Sequence, residues 1–197
     1  MADRAGNLYD GDQLLYVIAR HHKQRGILRG GVVGTQMSNL GLEHALAKIE
    51  VPFARAKVGD RYVLEMLHER GWQLGGENSG HIVFLDKHTT GDGIVSALLV
   101  LDALAEAGLT LEEAAADMTL YPQILINVAV KTPFDFQAHR GVQQALAEAE
   151  RDLDGAGRVL LRASGTEPVI RVMVEGSSEK KVRQWAETIA DAVSKAC

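Results

Sequence analysis

Hydrophobic positions change period several times along the chain, and each change marks an element. Residues 12–25 place Leu14, Leu15, Val17 and Ile18 on one side of a helix, and residues 39–49 repeat the spacing with Leu42, Ala45, Leu46 and Ile49. Between them, residues 31–35 form a short apolar run ending in Gly34-Thr35, the pattern of a buried strand. The alternation continues with a strand at 53–58, a helix at 60–70, a strand at 72–74 entering a glycine-rich loop, and a strand at 81–85. An apolar helix over 92–107 is expected to be buried and to be closed by Gly108. Thr110 followed by Glu113 has the spacing of a capping box for a short helix. Strands alternating with helices of roughly 10–15 residues predict a layered α/β domain with a mostly parallel sheet.

The pattern then shifts. A strand over 124–131 follows Tyr121-Pro122, residues 135–153 read mainly as helix, and strands at 158–162 and 169–175 are joined by a tight loop at 163–168. A helix over 178–196 closes the chain. This describes a smaller α+β domain, so we expect an α/β domain at residues 1–118 and an α+β domain at 119–197. The chain has 197 residues, enough for two such units.

Composition narrows the function classes. Hydrophobic residues make up 46% of the chain, enough for packed cores. Net charge is −5, and the nearest thing to a basic cluster is His21-His22-Lys23-Gln24-Arg25, so a nucleic-acid partner is not expected. The single cysteine, Cys197, allows no internal disulfide and fits a reducing compartment. The longest apolar run, 94–105, is broken by Ser96 and Asp102 and is too short to span a membrane. The start, Met1-Ala2-Asp3-Arg4, lacks the apolar stretch of a signal peptide. The expectation is a soluble, cytoplasmic chain without a membrane partner.

Three segments offer more than structure. Arg162-Ala163-Ser164-Gly165-Thr166-Glu167-Pro168, followed by Arg171, gathers two guanidinium groups, two hydroxyls and backbone N–H groups in one turn. A phosphate dianion needs such planar charge-assisted donors around a concave backbone, although Ser, Gly and Pro also suit an ordinary hairpin. Gly75-Gly76-Glu77-Asn78-Ser79-Gly80-His81 sets a carboxylate, an amide, a hydroxyl and an imidazole between two strands. Those groups can exchange hydrogen bonds with a polyol, or form a plain polar loop. Lys57, in Lys57-Val58-Gly59-Asp60-Arg61, stands at a strand end where open α/β sheets place ligands; a surface lysine is the alternative.

Taken together, these segments resemble the sugar-binding and phosphate-binding loops of the α-D-phosphohexomutase family, in order and at a fitting separation. Val33-Gly34-Thr35-Gln36-Met37-Ser38-Asn39, Ala56-Lys57-Val58-Gly59-Asp60-Arg61-Tyr62-Val63 and Thr89-Thr90-Gly91-Asp92-Gly93 are similar to the family too. Asn78 resembles the phosphoglucosamine mutase branch, where phosphomannomutase/phosphoglucomutase relatives usually carry Met. The resemblance covers the chain from about Gly6 onward but reaches only the third and fourth of the family's four domains. It implies a second domain with a TATA-box-binding-protein-like sheet and flanking helices. It also implies sugar contacts from Glu77, Asn78 and Ser79, and a phosphate held by Arg162, Ser164, Gly165, Thr166 and Arg171. Lys57 and His81 match positions considered for proton transfer or substrate contact. The implied reaction interconverts glucosamine 6-phosphate and glucosamine 1-phosphate. In the family a phosphoserine, an Asp-rich Mg²⁺ loop and a sugar bisphosphate activator serve it, and the first two lie in the missing N-terminal half.

No metal site is expected in this chain. Asp10-Gly11-Asp12 matches only a piece of the family's metal loop and is followed by Gln13, so Asp10 or Asp12 is read as the cap of the first helix. Ser38 is read as the N-cap of the second. His21 and His22 diverge on their helix, and His44, His68, His88 and His139 have no ligand-spaced partners, so all are read as surface or helix-face residues. Trp72 and Trp185 are assigned to core or interface. The chain is therefore expected to bind phosphosugar without turning it over. A stand-alone phosphosugar-binding module is the alternative, and a nucleotide binder is disfavoured because no Gly-x-Gly-x-x-Gly or Walker-type run opens a helix. Apolar surface left by two missing domains predicts self-association, or a homodimer.

Overall fold

A computed structural model describes residues 1–130, 135–165 and 167–197. The chain divides into two compact units, Met1–Leu120 and Tyr121–Cys197.

In the first unit, strands β1 (Val32–Thr35), β2 (Phe53–Ala56), β3 (Leu74–Gly76) and β4 (Ile82–Phe84) form one sheet in the order β2-β1-β3-β4. The first three run parallel, with Val32 opposite both Phe53 and Leu74, while β4 is antiparallel to β3. Successive side chains alternate between faces of a strand, and burial follows that rule here. Val32, Leu74, Ile82 and Phe84 pack into one core with helices α1 (Gly11–Gln24), α2 (Leu40–Lys48), α4 (Gly93–Ala107) and α5 (Leu111–Ala115). Val33, Ala56 and Val83 pack on the other face with Val63 and Leu67 of α3 (Asp60–Arg70). The result is three layers, helix–sheet–helix.

The caps explain most boundaries. Asp10 accepts from the Gln13 N–H while the Gln13 side chain bonds the Asp10 N–H, a reciprocal box that starts α1. Thr110 and Glu113 do the same for α5. Asp92 accepts from the N–H groups of Ile94 and Val95 at 2.8 Å each and starts α4. The second helix is capped by Asn39, whose side chain accepts from the Gly41 N–H, and not by Ser38. Ser38 instead lies wholly buried, its Oγ accepting from the Thr35 N–H and closing the turn after β1. The strand expected at 72–74 begins at Leu74, because the Trp72 N–H is spent on the Leu67 carbonyl at the close of α3. Helix α4 is not the buried helix its composition suggests: Ser96, Leu99, Val100 and Ala103 are buried, but Ile94 is 75% exposed, Leu98 60% and Leu101 51%.

The second unit is a three-stranded antiparallel sheet, β5 (Gln123–Ala129), β6 (Gly157–Ala163) and β7 (Val169–Gly176), in the order β5-β7-β6. Val128, Ile170, Val172 and Val174 turn one face toward α6 (Arg140–Leu153) and α7 (Glu179–Ala196), whose Val142, Ala149, Val182, Ala186 and Ile189 complete the core. Residues of the other parity, Arg162 and Arg171 among them, lie on the opposite face. The helix expected from 135 starts at Arg140; Asp135 takes the Gln137 N–H into a local turn, a bond that competes with helix. The expected strand end at Lys131 lies outside the described residues.

Candidate functional site

Each unit carries one built loop. In the first, β3 delivers Glu77 at its end, and the chain turns back into β4 through Asn78, Ser79, Gly80 and His81. Two main-chain bonds close that turn: Glu77 N–H to the His81 carbonyl and Gly80 N–H to the Glu77 carbonyl, both 3.0 Å. The N-terminus of α1 abuts it, with the Gly11 N–H donating to the Asn78 carbonyl at 2.9 Å. Only glycine fits at 11, since a Cβ there would stand 2.1 Å from the Glu77 carbonyl oxygen and 2.6 Å from the Gly80 nitrogen.

The turn after β2 joins the same loop. Gly59, at φ 127°, sends its N–H to Glu77 Oε1 at 3.0 Å. The bond fixes the carboxylate and leaves Oε2 without a partner among the described residues. The structure thereby brings the Lys57 turn and the 76–81 loop together, a link the sequence reading lacked. Lys57 is exposed, with Nζ 5.7 Å from the centre of the Tyr62 ring. Ser79 and His81 are exposed, Glu77 and Asn78 half-buried. A glycine at 91 leaves room for the imidazole, since a Cβ there would lie 3.1 Å from His81 Cδ2.

In the second unit the site lies at the β6–β7 hairpin. Arg162 and Arg171 stand directly opposite each other in the ladder, so two cations share one cross-strand pair. Like charges so placed repel. Burial, followed by the charge of Arg171, pushes the Arg162 guanidinium below its ordinary pKa. The Nε atoms of both arginines are buried without a hydrogen-bond partner. Arg171 Nη2 donates to Glu167 Oε2 at 2.8 Å and more weakly to Ser164 Oγ at 3.5 Å. Ser164 N–H bonds the Val169 carbonyl, and Ser164 Oγ accepts from the Glu167 N–H. At Gly165, neither a left-handed backbone nor a neighbour within 4 Å of a built Cβ calls for glycine. The space there is open to a ligand. Thr166 lies outside the described residues. The Nη groups of two opposed guanidiniums beside an open backbone can bind a compact anion.

The residues weighed as metal ligands are otherwise engaged. Asp10 caps α1. Asp12 is fully buried; it accepts from the Asn39 N–H at 2.7 Å, and burial pushes its pKa up to about 7. His21 and His22 are buried, not surface residues, because α1 runs through the core with both flanks covered. His22 stacks edge-on against Phe84 at 4.8 Å, and His21 Nε2 lies 3.3 Å from Glu106. His21, Asp102 and Glu106 thus cluster across α1 and α4, a meeting that spacing within one helix could not reveal. Arg25 already holds both Glu106 oxygens at 2.8 and 2.6 Å, so that carboxylate is engaged in an ion pair. Trp72 is half-buried against the α3 layer, and Trp185 Nε1 donates to Asp152 Oδ2 at 2.8 Å.

Residues 10–121 match the family profile described as phosphoglucomutase/phosphomannomutase, alpha/beta/alpha domain III. Residues 125–192 match the C-terminal domain of the same family. The phosphoglucosamine mutase of Nitrosospira multiformis is 63% identical over 196 residues, covering 100% of this chain and 42% of that protein. The like-named protein of Thiobacillus denitrificans is 63% identical over 193 residues, covering 98% of this chain and 42% of that protein. Among solved structures, Aspergillus fumigatus N-acetylphosphoglucosamine mutase, in complex with GlcNAc-6P and magnesium, matches with a TM-score of 0.80 at 25% identity. That match covers 95% of this chain and 47% of the fungal one. A Burkholderia thailandensis phosphoglucomutase/phosphomannomutase family protein shares the fold, with a TM-score of 0.74 at 21% identity over 97% of this chain and 43% of its own. The chain spans about 42% of the length of the curated relatives it matches.

Proposed function

The chain belongs to the phosphoglucomutase/phosphomannomutase family, matching its third and C-terminal domains, and on that premise we propose that it supplies substrate recognition in a phosphoglucosamine mutase. The reaction is the interconversion of glucosamine 6-phosphate and glucosamine 1-phosphate. Sugar recognition falls to residues 1–118 and phosphate recognition to residues 119–197. Glu77, fixed through one oxygen by the Gly59 N–H, accepts sugar hydroxyls through the other, with Asn78 and Ser79 beside it. Arg162, Ser164, Gly165, Thr166 and Arg171 hold the phosphate that is not reacting. The reaction presents the phosphate from either end of the sugar. A guanidinium clamp suits that demand, because it recognises phosphate geometry and not the ring that carries it.

Lys57 and His81 are the candidates for proton transfer at the sugar, a contribution of typically 10²–10⁴-fold. Magnesium and a sugar bisphosphate serve the whole enzyme in this reading. The chain's own residues do not fit the metal, since Asp10 caps a helix and Asp12 is buried, so no step is assigned to it here. Phosphoryl transfer then depends on the N-terminal half of the same enzyme as partner, in a soluble, cytoplasmic setting. Among the described residues no helix is long and apolar enough to cross a membrane.

The observation that carries this reading is the opposed Arg162–Arg171 pair beside the open space at Gly165. Calorimetric titration of the chain with glucosamine 6-phosphate, glucose 6-phosphate and inorganic phosphate tests it. We expect saturable binding, tightest for the amino sugar and weakened at least tenfold by Arg162→Ala or Glu77→Ala, since a charge-assisted bond contributes about 1.5–3 kcal/mol. Binding unchanged in Arg162→Ala would refute the clamp. Turnover by residues 1–197 alone, with Mg²⁺ and a sugar bisphosphate supplied, would refute the division of labour.

A further inference from the structure

The hairpin that gathers two cations also supplies an anion of its own. Glu167 sits in the turn between β6 and β7, and its Oε2 accepts from Arg171 Nη2 at 2.8 Å. Its side chain is 58% exposed, while that of Arg171 is 27% exposed. The shape of the turn does not depend on this carboxylate. The Glu167 N–H bonds Ser164 Oγ at 3.3 Å, the Glu167 carbonyl accepts from Val169 N–H at 2.8 Å, and Ser164 N–H bonds the Val169 carbonyl at 2.9 Å. One carboxylate offsets only one of the two opposed guanidinium charges, and the buried Nε atoms keep no partner even with the ion pair made. The arrangement is therefore a half-neutralised anion site whose internal anion is exposed and mounted on a short turn.

We propose that Glu167 is an internal stand-in for the ligand's phosphate: it orients Arg171 while the site is empty and yields the guanidinium when a phosphate arrives. The proposal rests on the phosphate reading of this same hairpin. Binding then exchanges one ion pair for another, so every entering anion bears the loss of the Arg171–Glu167 pair. A phosphate can make that exchange favourable, because its oxygens can engage both arginines at once. A singly charged, monatomic anion such as chloride gains less from the two arginines, which keeps the site from filling with weak anions. Because the Glu167 member of the pair is exposed and screened by solvent, loss of the pair weakens binding by a factor of about two to five.

The test is a calorimetric titration of the full chain with inorganic phosphate, comparing wild type, Glu167→Gln, Glu167→Asp and Arg171→Ala. Glu167→Gln keeps length and hydrogen-bonding capacity but removes the charge, and is expected to bind phosphate about two- to five-fold tighter. Glu167→Asp, which restores the charge, should return toward the wild-type value, and Arg171→Ala should abolish binding. A role in shaping the loop would move the other way, with Glu167→Gln binding more weakly. If Glu167→Gln binds no tighter while Arg171→Ala still abolishes binding, the stand-in is wrong and the clamp survives. Should Arg171→Ala bind like wild type, or no variant bind phosphate at all, the clamp and the stand-in fall together.

Discussion

Asp12 has no exposed surface, one oxygen accepting from Asn39 N–H and the other, Oδ1, without a hydrogen-bond partner. Burial is the main cause that lifts its pKa from 3.8 to about 7; the Asn39 bond opposes the rise and the nearby Asp10 charge adds to it. A raised carboxylate makes the fold less stable as pH climbs. Below about 4, both folded and unfolded chains are protonated and the group contributes nothing. Between there and about 7 the unfolded chain has released its proton while the folded chain keeps it, so stability falls. Above about 7 the cost is fully developed, at most on the order of 4 kcal/mol for a shift of this size. Asp12→Asn keeps an acceptor for Asn39 and removes the titration. Urea unfolding of the two proteins should give similar stabilities near pH 4 and a clear advantage for Asp12→Asn at pH 8. A difference that stays constant with pH would mean that Asp12 does not titrate as described.

Helix α1 joins that residue to the sugar loop. Its first turn supplies the Asp10 cap, the Gly11 N–H that holds Asn78, and Asp12, which ties it to the start of α2. Replacing Gly by Ala inside a helix normally stabilises it by about 1 kcal/mol. At position 11 the added methyl meets backbone at 2.1 Å, and backbone cannot rotate aside. Gly11→Ala should therefore destabilise the first unit by about 1–3 kcal/mol and push the 76–81 loop outward. Titration should then show glucosamine 6-phosphate bound at least several-fold more weakly, with inorganic phosphate unaffected. Equal weakening of both ligands would mean general unfolding and not a displaced loop.

This element also shows where the sequence was legible and where it was not. The helix, its Asp cap and the glycine-rich loop are written in local spacing, and so are the capping box of α5 and the two arginines beside the hairpin turn, though not their cross-strand opposition. The Gly11–Asn78 contact joins residues 67 positions apart, and no local period reports it. Likewise Ser38 and Asn39 both suit an N-cap, and only the fold decides that Ser38 closes the turn behind β1.

At the scale of the whole molecule the largest departure from the sequence pattern is α4. Its residues are apolar nearly all round, which in a complete fold signals burial on every side. Ile94, Leu98 and Leu101 nevertheless form a stripe at i, i+4 and i+7 that remains exposed, beside Val95 and Leu99, which line an open groove of about 620 Å³. Several large apolar side chains side by side on one helix face exceed the scattered exposure normal for a soluble protein, and such a patch drives association. We therefore expect the chain to self-associate as its concentration rises. Leu98→Lys should suppress this without loss of fold, because a lysine there projects into solvent and removes the centre of the stripe. Sedimentation velocity over a hundred-fold concentration range would read the change directly. Wild type should shift toward larger species while Leu98→Lys stays monomeric. A wild-type chain that remains monomeric throughout would show that the stripe is tolerated in water. Association that persists undiminished in Leu98→Lys would place the contact on another face.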